Sequence, residues 1–492
     1  MRLVKLSLFA LLSLSFSPVI ADVDQHFAQI KSDPNALYAF FKTMPKGGEL
    51  HYHLAGGAYP ETMLTLAAKG NYCLDKASTV SDSTAANCDL KAAEIISNQQ
   101  AYNKTIRDWS MKNFIADTES GHDHFFATFF KFAPLIAAYG PQLLAEVMER
   151  AANQNELYLE VMILPDNGKS ISFAQLIGSS AGLAQKKQIL LANKEFENNI
   201  SWARSESTRT LQQAREIMSC QSSAKRPGCD VLVKFQYFIL REQALDSFFA
   251  QALTAFAAAS QSTDIVGINI VQAEDGIIAL RDYRAQMQII NFMHQAYPNV
   301  HIALHAGELS PSDLLPSELR FHIHDAIFTA HAERIGHGID IAYEDGAEEL
   351  VKHMAKARVA VEINLISNQS ILNISGPQHP LHYYLAHKVP VVLSTDDEGI
   401  LRTDLTRQYV EAVLNQGLDY QTLKMINRNT LTYSFLNGKS LWLDPDLAIP
   451  ISDCKDLGSP SCQAFISNSD KATLQWRLEN ELINFEKQYS KN

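Results

Sequence analysis

The stretch Ile302-Ala-Leu-His305-Ala-Gly-Glu308 decides how this chain of 492 residues is interpreted, because a short apolar run ends there in a histidine and a carboxylate. An isolated histidine of this kind is more often a hydrogen-bonded core residue than a ligand. Four further polar clusters end similar apolar runs, and these are Leu50-His51-Tyr-His53, Arg334-Ile-Gly-His337-Gly338, Glu362-Ile-Asn-Leu-Ile-Ser-Asn368 and Val391-Val-Leu-Ser-Thr-Asp396-Asp397. A parallel β/α barrel carries its chemistry at the carboxyl ends of its strands. The repetition therefore predicts a metal-dependent enzyme.

Apolar runs alternate with helical patterns along the chain, which indicates βαβ units around a parallel sheet. The predicted strands are residues 49–54, 157–164, 231–240, 265–271, 300–304, 334–336, 359–364 and 391–393. Eight such units predict an α/β fold of the (β/α)₈ TIM-barrel type. The predicted segments are an N-terminal helical segment, the barrel with a disulfide-bearing insertion at about 70–110, and a helical C-terminal extension, at residues 22–47, 48–440 and 441–492.

Residues 1–21 are typical of a secretory signal, with Arg2 and Lys5 before an apolar stretch and small residues at the end. We expect export, to the periplasm or the exterior, and no membrane attachment afterwards, because the apolar run is too short to span a bilayer. Removing the segment deletes two positive charges and no acid, which changes the net charge from −12 to −14. That acidity argues against a nucleic-acid polymer as partner and favours a small neutral or cationic substrate.

The six cysteines fall into three close pairs, Cys73 with Cys88, Cys220 with Cys229 and Cys454 with Cys462. Six cysteines allow fifteen pairings, so spacing alone leaves the connectivity open. In an exported protein we predict local disulfides that clamp loops. Reactive thiols are the alternative.

His51 and His53 are the first candidates for metal binding. They lie two residues apart on a predicted strand, so both side chains point to the same face. His305 at the end of the fifth strand and Asp396 at the end of the eighth complete a set of three imidazoles and one carboxylate. Such a set suits Zn²⁺ and leaves room for a water molecule.

Three more polar residues are candidates for proton transfer. A divalent metal lowers the pKa of a bound water towards neutrality. His337 and Asp397, each at a strand end, would orient and deprotonate that water. Glu308 lies three residues beyond His305. It would donate a proton to a ring nitrogen of the substrate and make the neighbouring carbon electrophilic.

Each of these residues also has an ordinary structural explanation. The pair Asp396-Asp397 would cap the following helix, and His337 would be a polar loop residue between two glycines. Other histidines in a helical stretch are interpreted as surface or supporting groups rather than ligands, and these are His322, His324 and His331. Taken together, the ordinary explanations require five coincidences at strand ends.

The ordered motifs resemble those of the adenosine deaminase family: His-x-His, His-Ala-Gly-Glu, Arg-Ile-Gly-His-Gly, Ile-Ser-Asn-Gln and Ser-Thr-Asp-Asp. The chain is most similar to the secreted adenosine deaminase-related growth factor branch. That branch also has Met-Pro-Lys-Gly-Gly before the first histidines, here residues 44–48, and a Glu-Asp-x-Gly-like segment, here Glu274-Asp275-Gly276. The resemblance covers about residues 44–436.

The resemblance implies an activity and a set of roles. Adenosine would be hydrolysed to inosine and ammonia by a zinc enzyme, and zinc would be held by His51, His53, His305 and Asp396. Glu308 would protonate the purine N1, while His337 and Asp397 would orient and activate the zinc-bound water. The substrate contacts implied are Gln272, Glu274 and Asp397. The branch also implies a homodimer formed through residues 22–46.

Four positions depart from the family pattern. Ala55 stands where an aspartate normally helps hold a ribose hydroxyl, and Asn269 stands where an aspartate is common. Gln272 replaces a glycine that binds the purine through its N–H, and Glu398 replaces a common proline. The chemical residues match the family, whereas the specificity pocket does not.

Three functional hypotheses follow. The first is an exported zinc-dependent deaminase of adenosine and 2′-deoxyadenosine. The second keeps the deamination but changes the substrate to another 6-aminopurine, because of Ala55. The third is a nucleoside-binding or signalling protein with little turnover, which would not require the complete set of proton-transfer residues.

Overall fold

The computed structural model describes residues 18–82, 88–178 and 180–489. The strands within these residues are β1 Glu49–His53, β2 Cys73–Leu74, β3 Val80–Ser81, β4 Leu90–Lys91, β5 Tyr158–Ile163, β6 Leu232–Leu240, β7 Ile265–Val271, β8 His301–Ala306, β9 Arg334–His337, β10 Ala360–Ile363, β11 Val391–Leu393, β12 Trp442–Asp444 and β13 Ile449–Pro450.

The α-helices are α1 Pro18–Ile30, α2 Pro34–Thr43, α3 Leu54–Gly57, α4 Pro60–Lys69, α5 Ala92–Ser97, α6 Gln99–Asp108, α7 Gly121–Asn153, α8 Leu183–Ala192, α9 Lys194–Ile217, α10 Leu245–Ala259, α11 Ile277–Ala296, α12 His322–Phe328, α13 Ala347–Ala357, α14 Leu365–Leu372, α15 Leu381–Ala386, α16 Glu398–Leu401, α17 Leu405–Leu414, α18 Tyr420–Thr432, α19 Pro460–Ile466 and α20 Asp470–Lys487. Short 3₁₀ segments lie at Lys169–Leu176, Pro227–Asp230, Ile341–Tyr343, Gly376–Gln378 and Ser452–Cys454.

Eight parallel strands form the core in the order β1-β5-β6-β7-β8-β9-β10-β11. The ring closes through a parallel bridge between Tyr52 and Asp396, where the His53 N–H donates to the Asp396 carbonyl at 3.1 Å. The strands are almost wholly buried, as expected when helices cover a parallel sheet on its outer face. The predicted (β/α)₈ barrel is confirmed, and the eight strand boundaries agree with the prediction within two residues.

Three segments outside the barrel strands compare with their sequence patterns as follows. The polar composition of residues 71–90 predicts a surface insertion rather than a core element, but the segment forms the antiparallel sheet β3-β2-β4, which buries Leu74 and Val80 in the main core. The pattern of residues 173–218 predicts one long helical stretch, but a 3₁₀ segment is followed there by α8 and α9, because Asn193 ends one helix and caps the next. Residues 92–144 are predicted to be mostly helical, and they are, apart from the irregular stretch 109–120, after which Ser120 caps α7.

The six cysteines, all within the described residues, form the three predicted local disulfides. Cys73–Cys88 ties the small sheet after β1, Cys220–Cys229 ties the turn after α9, and Cys454–Cys462 joins the C-terminal loop to α19. The local pairing is confirmed, and it places all six sulfurs away from the barrel's inner face.

The two ends of the chain pack on each other through aromatic rings. Phe40 of α2 lies 5.1 Å from Phe485 of α20, 5.8 Å from Tyr420 of α18 and 5.4 Å from Tyr489, measured between ring centroids. The apolar face of the N-terminal helices is thus covered by the chain's own C-terminal helix. A homodimer through residues 22–46 stays a prediction, which the mass of the protein in solution would test.

The predicted signal falls mostly outside the described residues. Residues 1–17 are not among them, and residues 18–21 form the first turn of α1. Within the described part of the chain, none of the helices combines the length and the apolar character needed to cross a bilayer.

Replacing Phe40 by alanine is expected to lower the free energy of unfolding by about 3–5 kcal/mol, because it empties the centre of this aromatic cluster. Thermal or guanidinium unfolding measures the change. Phe130→Ala is the matched control, since that ring is 75% exposed and its loss should cost about 0.5 kcal/mol or less. Equal losses of unfolding free energy in the two variants would show that the aromatic packing around Phe40 does not stabilise the fold more than an exposed ring does.

Candidate active site

The predicted site residues come together at the carboxyl ends of β1, β8, β9 and β11. Nε2 of His53 lies 3.2 Å from Nε2 of His305 and 3.2 Å from Oδ1 of Asp396. Nε2 of His51 lies 3.3 Å from the same carboxylate oxygen. His51, His305 and Asp396 are buried, and His53 is partly exposed. The four atoms therefore face one point inside the barrel mouth.

These separations fit a metal ion. Ligand bonds of about 2.0–2.2 Å in a tetrahedron place neighbouring ligand atoms about 3.3–3.6 Å apart. The measured distances of 3.2–3.3 Å are close to that range. Nε2 of His51 is also buried with no hydrogen-bond partner among the described residues, which would be costly without a ligand. The donor set of imidazoles and a carboxylate suits zinc.

His337 stands beside this cluster rather than in it. His51, His305, His337 and Asp396 offer ligand atoms within 4.8 Å of one another. However, Nε2 of His337 is 3.7 Å from the nearest Asp396 oxygen, farther than the corresponding nitrogens of His51 and His53. The distances favour His53 over His337 as the fourth ligand.

Buried acceptors orient two of the histidines. Nδ1–H of His51 donates to Glu362 at 2.8 Å, and Glu362 is itself held by Arg334 at 2.6 Å. Nδ1–H of His305 donates to Oδ1 of Asn269 at 2.9 Å. In both rings the proton on Nδ1 leaves the Nε2 lone pair directed at the centre. The supporting role of Glu362 was missed at the level of sequence, although Glu362 opens one of the five clusters.

Asn269 departs from the family pattern for a visible reason. Its amide Nδ2 donates to Oε1 of Gln236 at 3.0 Å, while its Oδ1 accepts from the backbone and ring of His305. An amide supplies a donor for one neighbour and an acceptor for the other, which a carboxylate does not. Asn269 therefore orients His305.

Helix α14 forms hydrogen bonds that position Asp396 and His337. The Ser367 hydroxyl donates to Oδ2 of Asp396 at 2.8 Å. Nδ1 of His379 accepts from the Leu381 N–H, so Nε2 of His379 carries the proton and donates to Oδ1 of Asn368. The amide Nδ2 of Asn368 then donates to Nδ1 of His337 at 2.9 Å.

This chain of hydrogen bonds fixes the tautomer of His337. Because Nδ1 accepts, the proton of the neutral ring is on Nε2. Nε2 is buried, without a hydrogen-bond partner among the described residues, and faces Glu308 at 3.6 Å. Burial lowers the pKa of His337 to about 3, so the ring is neutral near pH 7. His337 thus presents a single N–H to the centre.

Asp397 is the second proton-transfer candidate, and Gly56 makes room for it. A Cβ on Gly56 would lie 1.7 Å from Oδ1 of Asp397, so no other residue fits there. Oδ1 is buried and has no partner within the described residues. Burial, together with the charge of Asp396, raises the pKa of Asp397 well above its usual range. Gly56, three residues after His53, was a usable signal in the sequence that went unassigned.

Glu308 is the predicted acid, and its position depends on Glu274. The Glu274 carboxylate accepts from the backbone N–H groups of Gly307 at 3.1 Å and Glu308 at 2.9 Å. Burial and the charges of Asp396 and Glu274 raise the pKa of Glu308 well above its usual range. Glu308 is therefore a carboxylic acid near neutral pH, able to donate a proton.

The buried Glu274 is engaged entirely by the protein. His322 donates to it through Nδ1 at 2.6 Å, and Arg241 lies 3.5 Å from it. Burial alone would raise the pKa of Glu274, but Arg241, His322 and the backbone donors outweigh it and lower the pKa to about 2. Its predicted contact with substrate stays a prediction, whereas its contacts here position the Glu308 loop.

The predicted contact residue Gln272 has a left-handed backbone, with φ of 83°. That conformation is uncommon for a residue other than glycine. The side chain of Gln272 accepts from the Glu242 N–H at 2.9 Å, which holds this turn at the end of β7.

Glu274→Gln is expected to lower kcat about 10- to 100-fold while KM and metal content change little, because the amide keeps the shape but loses the charge that holds the loop. Steady-state kinetics and metal analysis measure the three quantities. Glu333→Gln, at the opposite end of the barrel, removes a carboxylate paired with His301 and should leave kcat unchanged. A loss of metal in Glu274→Gln would instead place its effect on the metal cluster.

Comparison with known proteins agrees with this geometry. The family profile described as adenosine deaminase matches residues 115–441. The adenosine deaminase of Klebsiella pneumoniae is 35% identical over 137 residues, which are 28% of this chain and 38% of that protein. The aligned part thus spans well under half of that curated relative.

Two solved structures share the fold. The apo N6-methyl-AMP deaminase of Arabidopsis thaliana superposes with a TM-score of 0.53 at 20% identity, over 81% of this chain and 94% of that one. An amidohydrolase from Burkholderia ambifaria with bound zinc gives a TM-score of 0.51 at 16% identity, over 91% and 94%. At these identities the likeness concerns the fold alone.

Proposed function

Because the chain belongs to the adenosine deaminase family, we propose that it is a zinc-dependent hydrolase that converts adenosine and 2′-deoxyadenosine to inosine and ammonia. The observation that carries the proposal is the convergence, on one buried point, of the cluster His51, His53, His305 and Asp396 with an acid at Glu308. A binding or signalling protein would need neither the acid nor the fixed tautomer of His337.

The proposed roles of the residues follow from which side chains can donate a proton and which can accept one. A divalent metal held by the cluster supplies a Lewis acid that lowers the pKa of water. Glu308 donates its proton to N1 of the purine, which makes C6 electrophilic. The Nε2–H of the neutral His337 forms a hydrogen bond to the oxygen that adds at C6. A cation held by the cluster would favour the ionised form of Asp397, and this carboxylate takes up one proton of the attacking water and passes it to the amino group, which leaves as ammonia. The remaining hydroxyl proton returns to Glu308 as the C6 carbonyl forms.

A second candidate differs only in the substrate. Solved relatives of this fold are named as an adenine deaminase and an N6-methyl-AMP deaminase, so the architecture serves several 6-aminopurines. Ala55 stands where the resembled family has a sugar-binding carboxylate. A panel of adenine, adenosine, 2′-deoxyadenosine and AMP separates the candidates, and equal rates with and without the sugar would favour adenine.

Export to the periplasm or the exterior is part of the proposal. Residues 1–21 have the composition of a signal, and the three disulfides suit an oxidising compartment. N-terminal sequencing of the protein from its native host tests it. A mature chain that begins at Asp22 supports export, and a chain that retains Met1 in the cytoplasm contradicts it.

The test of the reaction is the ultraviolet spectrum of adenosine during incubation with the purified protein, recorded with and without a chelator. A chelator-sensitive change to the spectrum of inosine, with one ammonia released per inosine, supports the proposal. An unchanged spectrum in the presence of stoichiometric zinc would move the assignment to another 6-aminopurine, and failure of the whole panel would favour a binding protein.

A further inference from the structure

Residues 109–122, which we call the mouth strap, run between α6 and the first turn of α7. The strap is attached to the elements that carry the site. The Met111 N–H donates to the Ile400 carbonyl of α16, directly after Asp397. Gly121 packs so closely on α14 that a Cβ there would lie 2.0 Å from the Ser370 carbonyl oxygen. One side of the strap thus rests on the helices that follow β10 and β11.

The other end of the strap is attached across the barrel. Nε2 of His122 forms a hydrogen bond with Oδ1 of Asp275 at 3.0 Å. Asp275 lies in the loop after β7, next to Glu274. In the ring of eight strands β7 is fourth and β11 is eighth, so they lie on opposite sides. The strap therefore joins the helices that follow β10 and β11 to the loop after β7.

Both ring nitrogens of His122 are engaged in hydrogen bonds. Nε2 bonds to Asp275, and Nδ1 bonds to Asp123 at 3.0 Å. Burial lowers the pKa of His122, but the bonds to Asp275 and Asp123 outweigh it and raise the pKa to about 9. His122 is thus an imidazolium with no N–H left for a ligand.

Asp275 keeps a free acceptor. Within the described residues, nothing donates to its Oδ2, and 23% of its side chain is exposed. Asp275 directly follows Glu274, whose carboxylate accepts a hydrogen bond from the Glu308 N–H at 2.9 Å, so the pair lies near the loop of the predicted proton donor. An ionised carboxylate with a free oxygen accepts hydrogen bonds from hydroxyl groups and repels phosphate.

We propose that Asp275, held in place by His122, accepts a hydrogen bond from a sugar hydroxyl and thereby selects unphosphorylated purine nucleosides over nucleotides. This inference rests on the proposed deaminase function. It also supplies a carboxylate at the mouth of a chain that has Ala55 where the resembled family has its sugar-binding acid. His122, at the end of the strap, thus holds the selecting residue in the loop after β7.

The experiment measures two ratios. The first is the ratio of kcat/KM for adenosine to that for AMP. The second is the ratio of the affinities for inosine and IMP, measured by calorimetry, which needs no turnover. Asp275→Asn keeps the shape of the side chain and removes its charge, and Asp275→Lys reverses the charge. Asp123→Asn is the matched control, because it removes the same charge from the other nitrogen of the same ring.

In Asp275→Asn we expect both ratios to fall about 10- to 100-fold, with the loss for adenosine mainly in KM, as for a hydrogen bond to a charged group. Asp275→Lys should lower both ratios further, and Asp123→Asn should change them less than twofold. Ratios unchanged in both Asp275 variants, in protein of parental melting temperature, would overturn the inference. So would equal effects of Asp275→Asn and Asp123→Asn, which would indicate bulk charge alone.

The two calorimetric ligands separate this inference from the proposed function. Selective binding of inosine that is lost in Asp275→Asn, in a protein that deaminates nothing, would sustain the selection and refute the deaminase. Deamination of adenosine with ratios insensitive to Asp275 would do the reverse. Binding of neither inosine nor IMP by the parent would overturn the inference.

Discussion

Glu308→Gln is expected to lower kcat for adenosine roughly 10²- to 10⁴-fold while KM changes little, because the amide keeps the shape of the acid but has no proton to give to N1. The Glu274 carboxylate accepts a hydrogen bond from the Glu308 N–H, which positions the loop that carries the acid. Burial raises the pKa of the Glu308 carboxyl, which favours the protonated form that can donate. Steady-state rates with adenosine, together with metal content and melting temperature, measure the effect.

The control for this substitution is Asp313→Asn, which removes an exposed carboxylate from the same loop after β8 and should leave kcat unchanged. Full activity of Glu308→Gln would refute the assignment of Glu308 as the acid. A lower rate accompanied by lost zinc would mean that the substitution acts through the metal cluster, and the kinetic effect would then say nothing about proton donation.

Removal of the metal is expected to abolish deamination and to lower the melting temperature. The fold brings the imidazoles of His51, His53 and His305 and the carboxylate of Asp396 together at the barrel mouth, so the native state binds the ion and the unfolded chain does not. For free metal at 1,000 times its dissociation constant, that linkage stabilises the fold by about 4 kcal/mol. Calorimetric melting and metal analysis, before and after dialysis against a chelator, measure both effects.

Restoring Zn²⁺ should return activity and melting temperature together, and Mn²⁺ or Co²⁺ should restore them to different degrees, because geometry and ligand type set the preference. Asp396→Asn is the matched variant, since it weakens one ligand without emptying the site and should raise the zinc concentration needed for half-activity. A protein that stays fully active with less than about a tenth of an equivalent of any metal would contradict the metal assignment.

The barrel and the residues of the cluster could be predicted from sequence because both leave local patterns. Apolar runs of strand length alternate with helical patterns, and a histidine or carboxylate ends the runs at His53, His305, His337 and Asp396. The cysteine pairs were equally local, and the structure shows the local pairing predicted for an exported protein, although spacing alone left the connectivity open. The roles of the individual site residues remain predictions until the variants above are measured.

Contacts between segments that are distant in the sequence could not be predicted. Asn269 looked like a change in the substrate pocket, but its amide lies between Gln236 and His305, a placement that only the neighbouring strands explain. The contacts of Glu274 with Arg241, His322 and the Glu308 loop also join distant segments, and no local pattern announces them. The mouth strap has no periodic pattern, so its attachments to α14, α16 and the loop after β7 could not be predicted from sequence.

Closure of the barrel at Tyr52 and Asp396 has a consequence for the order in which the chain folds and binds its metal. Asp396 pairs through its backbone with His51 and His53, and its carboxylate stands beside their imidazoles. The first and last strands of the barrel must therefore meet before the ion can be held. Such distant contacts form late in folding. It follows that the complete site binds the metal only after the last strand has been synthesised and has paired with the first, in whichever compartment that pairing takes place. The bound ion then stabilises the closed barrel, because its ligands come from both of these strands.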